Sequence, residues 1–287
     1  MEYYTPESFN KASEIATNAQ GITRFLAGGT DVLVQLRTDM ISPDILIDIK
    51  NIPGAKEIEC LADGSWRIGA AVTGAEMSEH SELKAQWPGL VEAMDLIGST
   101  QIQGRATLVG NLCNGSPAAD SVPAMMAANA SVLVVGPNGT RELSVQDMPV
   151  SPGKTSLSKG EVISAVLIPA RGNNGGDAYL RFIPRTEMDI AVVGCGVNLR
   201  TDGEIITEAR LCLGAVTPTI QVVSEVTKLL VGNKLDQTIL DAVAKAASAA
   251  SKPITDKRGT IEYRIEVAGV LAKRATKIAY DRARGLK

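Results

Sequence analysis

Two stretches of this chain combine small residues with hydrogen-bonding groups at spacings that suit an anionic ligand. The first is Gly28-Gly29-Thr30-Asp31, set between a short strand candidate at Thr23–Leu26 and a helical pattern at Val32–Arg37. Glycines at such a bend let backbone N–H groups approach a bound group with no Cβ in the way. A following helix adds unpaired N–H groups and the positive end of its dipole. A pyrophosphate fits this arrangement, and the Thr30 hydroxyl can donate one more bond. Taken alone, a Gly-Gly bend before a helix is also an ordinary structural turn. The stretch matches neither G-x-G-x-x-G nor the phosphate loop with its Lys. Gly194-Cys195-Gly196 fails the same search, because it lacks the third glycine and lies in a strand pattern. The second stretch runs from Thr107-Leu108-Val109-Gly110-Asn111 to Asn114-Gly115-Ser116-Pro117-Ala118-Ala119-Asp120. Small residues there admit a flat or extended ligand. Asn offers both donor and acceptor, and the Asp120 carboxylate accepts from hydroxyls. An irregular surface loop is the other reading.

Acid–base machinery is scarce. There is no G-x-S-x-G elbow and no H-E-x-x-H. His80 is the single histidine, in the plain context Ser78-Glu79-His80-Ser81, which leaves little room for a His-based triad or general base. Cys60, Cys113, Cys195 and Cys212 show no C-x-x-C spacing, so a metal or cluster site within this chain is not expected. All four read as small buried hydrophobes. The net charge of −3, from 29 basic and 32 acidic residues, argues against nucleic-acid binding, which wants clustered cations. The basic group near the end (Lys273, Arg274, Lys277, Arg282, Arg284) reads as a solvated helix face. Apolar runs stay far below the roughly 20 residues of a membrane span. Met1-Glu2-Tyr3-Tyr4 lacks a signal-peptide pattern, so a cytoplasmic protein is expected. Such a composition suits a subunit that moves electrons with a redox cofactor supplying the chemistry.

The elements that would position these stretches follow from periodicity. Thr5 is a candidate cap, with Pro6 at the first helical position and Phe9, Ala12, Ile15 and Ala16 on one face. Strands are expected at Thr23–Leu26, 45–49, 66–71, 131–135 and Val162–Ile168, and helices at Val32–Arg37, 90–97 and 123–130. Residues 101–121 carry little periodicity and read as loop. Pro137-Asn138-Gly139 marks a hairpin. The polar, glycine-rich run 171–176 reads as a linker. Beyond it come strands at 190–199 and Ile205–Gly214 joined by a turn, a helix capped by Asp236, and a last amphipathic helix through Ile265, Ala268, Leu271, Ala275 and Ile278.

Five motifs in this order carry a resemblance: Ala27-Gly28-Gly29-Thr30-Asp31, Thr107-Leu108-Val109-Gly110-Asn111, Ser116-Pro117-Ala118-Ala119-Asp120, Arg185-Thr186-Glu187-Met188-Asp189-Ile190-Ala191, and Asp256-Lys257-Arg258-Gly259-Thr260-Ile261-Glu262-Tyr263-Arg264. Together, over essentially the whole chain, the sequence resembles the FAD-binding medium subunit of the molybdenum hydroxylases, the xanthine dehydrogenase and carbon monoxide dehydrogenase family. The resemblance implies an α+β fold. A two-subdomain FAD-binding domain of the vanillyl-alcohol-oxidase (PCMH) type would occupy 1–55 and 56–172. A C-terminal domain with a small antiparallel sheet and helices would occupy 177–287. It implies FAD as cofactor, with the first bend contributing Arg24, Phe25, Leu26, Ala27, Gly28, Gly29, Thr30, Asp31 and Val32. The second region would contribute Ile97, Gly98, Ala106, Thr107, Gly110, Asn111, Asn114 and Asp120. Ile163 matches a position on the adenine side, and Arg181 a position near the flavin that is usually Lys.

The resemblance also implies partners: a large molybdopterin-binding subunit that oxidises substrate, and a small subunit whose two [2Fe–2S] clusters relay electrons to this chain's FAD. NAD or another acceptor would take them on. The C-terminal domain is expected to make subunit contacts. Two departures stand out. Val109 replaces a glycine common before Gly110-Asn111, beside the key glycine. Thr30-Asp31 replaces the His-Ser or Gln-Ser frequent in carbon monoxide dehydrogenases, which tilts the expectation toward a heterocycle or aldehyde hydroxylase. No cysteine-rich insertion is present, which disfavours an extra [4Fe–4S] cluster. The alternatives are a carbon monoxide dehydrogenase medium subunit, a stand-alone FAD-dependent oxidoreductase of a small alcohol, and a cofactor-less scaffold. The stand-alone enzyme would need acid–base residues or a His or Cys flavin link. The scaffold would show damaged glycine motifs.

Overall fold

In a computed structural model of the chain, residues 1–286 are described. Three short strands, β1 (Glu2–Tyr4), β2 (Thr23–Leu26) and β3 (Ile45–Asp48), form a parallel sheet in the order β1-β3-β2. Parallel pairing needs crossovers, and α1 (Phe9–Asn18) and α2 (Val32–Arg37) provide them. The α1 cap is Ser8, which accepts from the Lys11 N–H at 3.1 Å, so the helix starts later than Thr5-Pro6 suggests. Ala12 and Ala16 are buried on its inner face, with Phe9 and Ile15 packed beside them. β1 escapes a periodicity search because it has only three residues, all exposed.

A five-stranded antiparallel sheet comes next, in the order β4-β5-β10-β6-β7. Its strands are β4 (Ile58–Cys60), β5 (Trp66–Gly69), β6 (Ser131–Gly136), β7 (Gly139–Ser144) and β10 (Val162–Ile168); the hairpin β8 (Pro149–Ser151) and β9 (Lys154–Thr155) stands apart. β6 and β7 close the expected turn with Gly136 opposite Gly139. Between β5 and β6 run α3 (Gly74–Glu79), α4 (Ser81–Gln86), α5 (Pro88–Asp95), α6 (Thr100–Gln103), α7 (Leu108–Cys113) and α8 (Ser121–Ala127). Residues 101–121 are therefore not loop throughout. Helices this short show no full apolar period, but Thr107 caps α7 by accepting from the Gly110 N–H at 2.9 Å. Trp66, Ile68, Leu90, Met94, Met125, Val132 and Val166 fill the core between helices and sheet, each worth about 1.5–3 kcal/mol on burial.

The last sheet, β11 (Gly175–Phe182), β12 (Val193–Asp202), β13 (Ile205–Gly214) and β14 (Gln221–Val222), is antiparallel in that order. On one face lies α11 (Ile261–Ala283), with α10 (Gln237–Ala250) packed along it and α9 (Ser224–Leu230) against β13. Asp236 caps α10 as expected, accepting from the Ile239 N–H at 2.8 Å. The other face carries α8, and here glycine has a steric purpose. A Cβ on Gly196 would fall 2.5 Å from the Pro123 carbonyl oxygen, and one on Gly194 2.6 Å from the Tyr179 hydroxyl. Bare backbone in β12 thus lets α8 sit directly on the sheet.

Three expectations need correction. The run 171–176 is not a plain solvated linker: the Arg171 guanidinium lies 3.7 Å over the Trp87 ring and 2.7 Å from the buried Asp177 carboxylate, and β11 already starts at Gly175. The C-terminal basic group is not wholly a solvated face, because Arg282 pairs with Glu92 of α5 and donates to the Asp177 carbonyl at 2.8 Å. Of the four cysteines, Cys195 and Cys212 are buried but Cys60 and Cys113 are exposed. His80 has a structural post: its Nδ1 accepts from the Leu83 N–H at 3.3 Å, capping α4, and its ring meets Trp66 edge-on. Among the described residues, no helix is long and apolar enough to cross a membrane.

Candidate functional site

The two small-residue bends lie 77 positions apart yet touch: the Arg105 guanidinium donates to the Gly28 carbonyl at 2.9 Å. A Cβ on Gly28 would stand 1.8 Å from the Arg105 carbonyl oxygen, so only glycine allows the approach. Further along, Gln35 of α2 donates to the Asn114 side chain at 3.2 Å. Gly29 has φ +80°, in the left-handed region where glycine costs least. Between the bends opens a cleft of about 740 Å³, within the size range of small-molecule and cofactor sites.

The backbone of the first bend is chemically idle. Among the described residues, the N–H groups of Gly28, Gly29, Thr30 and Asp31 have no hydrogen-bond partner within the protein. The Leu108 and Val109 N–H groups, in the first turn of α7, have none either. Successive free N–H groups on a concave bend favour an anion. Side-chain charge does not dominate the wall: Arg24 and Lys159 are offset by Asp31 and Glu161. The cleft therefore offers an anion mainly neutral donors.

Most residues expected at the site share this cleft. Arg24, Phe25, Ala27, Gly28, Gly29, Thr30, Asp31 and Val32 line it from the first bend. Ile97, Ala106, Thr107, Gly110, Asn111 and Asn114 line the second side, and Ile163 the far wall. Leu26, Gly98, Asp120 and Arg181 stand outside this lining. Leu26 is buried at the end of β2. Gly98, with φ +61°, accepts the Met188 N–H at 3.3 Å through its carbonyl. Asp120 and Arg181 bind one another at 2.8 Å, and Tyr179 donates to the second Asp120 oxygen at 2.8 Å. The Asp120 oxygens, expected to accept from ligand hydroxyls, are thus engaged inside the protein. Burial pushes this carboxyl up to about 6, against the pull of Arg181 and Tyr179.

Part of the lining escapes sequence reading. The segment from Gly153 to Val162 forms the wall opposite the bends. It is pinned by the Gly153 N–H to the Gly115 carbonyl (2.9 Å) and by Lys159 to the Ala19 carbonyl (2.6 Å). Its only sequence signal is a pair of glycines, Gly153 and Gly160, both with positive φ.

Comparison with known proteins places this geometry. The profile of the FAD binding domain in molybdopterin dehydrogenase matches residues 1–171, and that of the CO dehydrogenase flavoprotein C-terminal domain matches residues 178–279. The chain belongs to this family of molybdopterin-dehydrogenase flavoprotein subunits. FAD is its cofactor, and the idle N–H groups around a glycine-built cleft fit the cofactor's diphosphate. The flavoprotein is 30% identical to the xanthine dehydrogenase FAD-binding subunit of Escherichia coli O157:H7, over 94% of this chain and 92% of that protein. It is 31% identical to the carbon monoxide dehydrogenase medium chain of Afipia carboxidovorans, over 99% and 98%. A solved carbon monoxide dehydrogenase from Hydrogenophaga pseudoflava superposes with a TM-score of 0.94 at 29% identity, covering 98% of both chains. The tilt away from carbon monoxide dehydrogenases, drawn from Thr30-Asp31, is not decided by these likenesses, which include a xanthine dehydrogenase subunit and carbon monoxide dehydrogenase chains at nearly equal identity. They favour the carbon monoxide dehydrogenase alternative at least as well.

Proposed function

We propose that this flavoprotein is the medium subunit of a heteromeric molybdenum hydroxylase. It takes electrons from the [2Fe–2S] clusters of a small partner subunit and passes them to NAD or another acceptor. A large molybdopterin-binding subunit would oxidise the substrate. The observation that carries the reading is the meeting of two distant bends, both rich in unpaired N–H groups, at one cleft. Bound FAD would supply the electron chemistry that the side chains lack. The chain's own residues bind and orient it. Gly28, Gly29, Thr30 and Asp31 would receive the diphosphate on their backbone N–H groups, with Asn111 and Asn114 facing them across the cleft. Ile163 and Ile97 would supply apolar walls. The Asp120–Arg181 pair would stand behind the cleft as support. We propose the same division into 1–55, 56–172 and 177–287.

A carbon monoxide dehydrogenase medium subunit is a second reading within the family, favoured by the 0.94 superposition. A stand-alone alcohol oxidoreductase is less well served, since the single histidine is occupied as a helix cap. Purification of the native complex, with its visible spectrum and its metal and flavin content, tests the proposal. FAD together with Mo and Fe in a heteromeric complex is the expected result. A yellow polypeptide that turns over an alcohol alone would overturn it.

A further inference from the structure

The Asn111 side chain is held in one orientation. Its Oδ1 accepts two hydrogen bonds from Ser121: from the hydroxyl at 2.7 Å and from the backbone N–H at 3.2 Å. A backbone N–H can only donate, so the atom facing it must be the amide oxygen and not the nitrogen. The amide NH₂ is thereby turned away from Ser121. It donates to no other side chain or backbone group among the described residues, and Asn111 lines the cleft. Ser121 itself is fully buried and contributes nothing to the cleft wall. Its position is fixed from behind, because the preceding residue, Asp120, is clamped by Arg181 and Tyr179 of β11. Tyr179 in turn has room for its hydroxyl only because Gly194 carries no Cβ.

We propose that Ser121 is a positioning residue that locks the Asn111 amide with its NH₂ donor toward the FAD diphosphate. The inference rests on the reading of the cleft as the FAD site. Without the lock the amide could turn its oxygen into the cleft, where it would repel an anion. In a cleft whose side-chain charges offset one another, the choice between donor and acceptor at this one amide carries weight.

The test is a double-mutant cycle on the full-length chain, stripped of flavin and titrated with FAD by flavin fluorescence. Ser121→Ala removes the 2.7 Å hydroxyl bond and leaves the longer backbone one, and should weaken FAD binding by about twofold to tenfold, the range of one neutral hydrogen bond. In an Asn111→Ala background the same change should have no effect, because there is no amide left to orient. Urea unfolding of the apo proteins separates this coupling from general destabilisation. Equal losses in both backgrounds, or no loss in the native background, would overturn the positioning role while leaving the FAD site intact. A native apo chain that takes up no FAD would overturn the site reading and the inference together.

Discussion

Gly28 has a purpose different from the one its sequence context suggests. A bend glycine usually invites a ligand close to the backbone. Here the missing Cβ admits the Arg105 backbone, and the two halves of the cleft meet through that gap. Gly28→Val should separate them. We expect loss of retained flavin, read from the absorbance ratio of purified protein, while the β11–β14 unit keeps its fold by limited proteolysis. A variant with full flavin content would contradict the placement. Asp120 supports a second expectation. Its carboxyl, at about 6, holds a proton more tightly in the folded chain than in the unfolded one. Its contribution to stability is therefore full below the ordinary carboxylate range near 4 and is lost as pH rises through about 6. Asp120→Asn removes that titration. In urea unfolding between pH 4 and 7, native minus variant stability should decline with rising pH. A flat difference would mean that the carboxyl titrates normally.

Among the elements, α5 and β11 share the joint between the second and third sheets. Arg171 stacks on Trp87 and pairs with Asp177, whose other oxygen accepts from the Leu90 N–H at 2.9 Å. Removing one partner of a buried pair typically costs about 3–5 kcal/mol. Arg171→Ala should lower stability on that order, seen as an earlier urea midpoint in tryptophan fluorescence; a shift under about 1 kcal/mol would place the joint elsewhere. This joint also explains a misreading. Arg171-Gly172-Asn173-Asn174-Gly175-Gly176 has the composition of a linker, yet composition is blind to a side chain folding back onto a ring 84 positions earlier. Strands with a dense apolar run closed off by a turn, such as β10 and β13, were legible to the residue. Four- and six-residue helices such as α6 and α7 were not, since neither spans two turns of periodicity.

At the level of the whole molecule, the glycine bends were legible because they need a residue type that little else requires. The far wall from Gly153 to Val162 was not, because it borrows its place from long-range backbone contacts. Thr30-Asp31 does not decide the finer level: relatives of both the xanthine and the carbon monoxide type match at about 30% identity, and a two-residue difference says little about substrate. The last sheet has a part in the cleft as well, since its bare strand β12 seats α8, whose Ser121 holds the cleft residue Asn111. A further consequence follows from the wall itself, where Arg24 and Lys159 stand against Asp31 and Glu161. A seat that grips a doubly charged linkage through uncharged groups does not neutralise it. The loaded chain should keep that negative charge and bind an anion-exchange resin more strongly than the empty one, and added salt should loosen its cofactor only slightly.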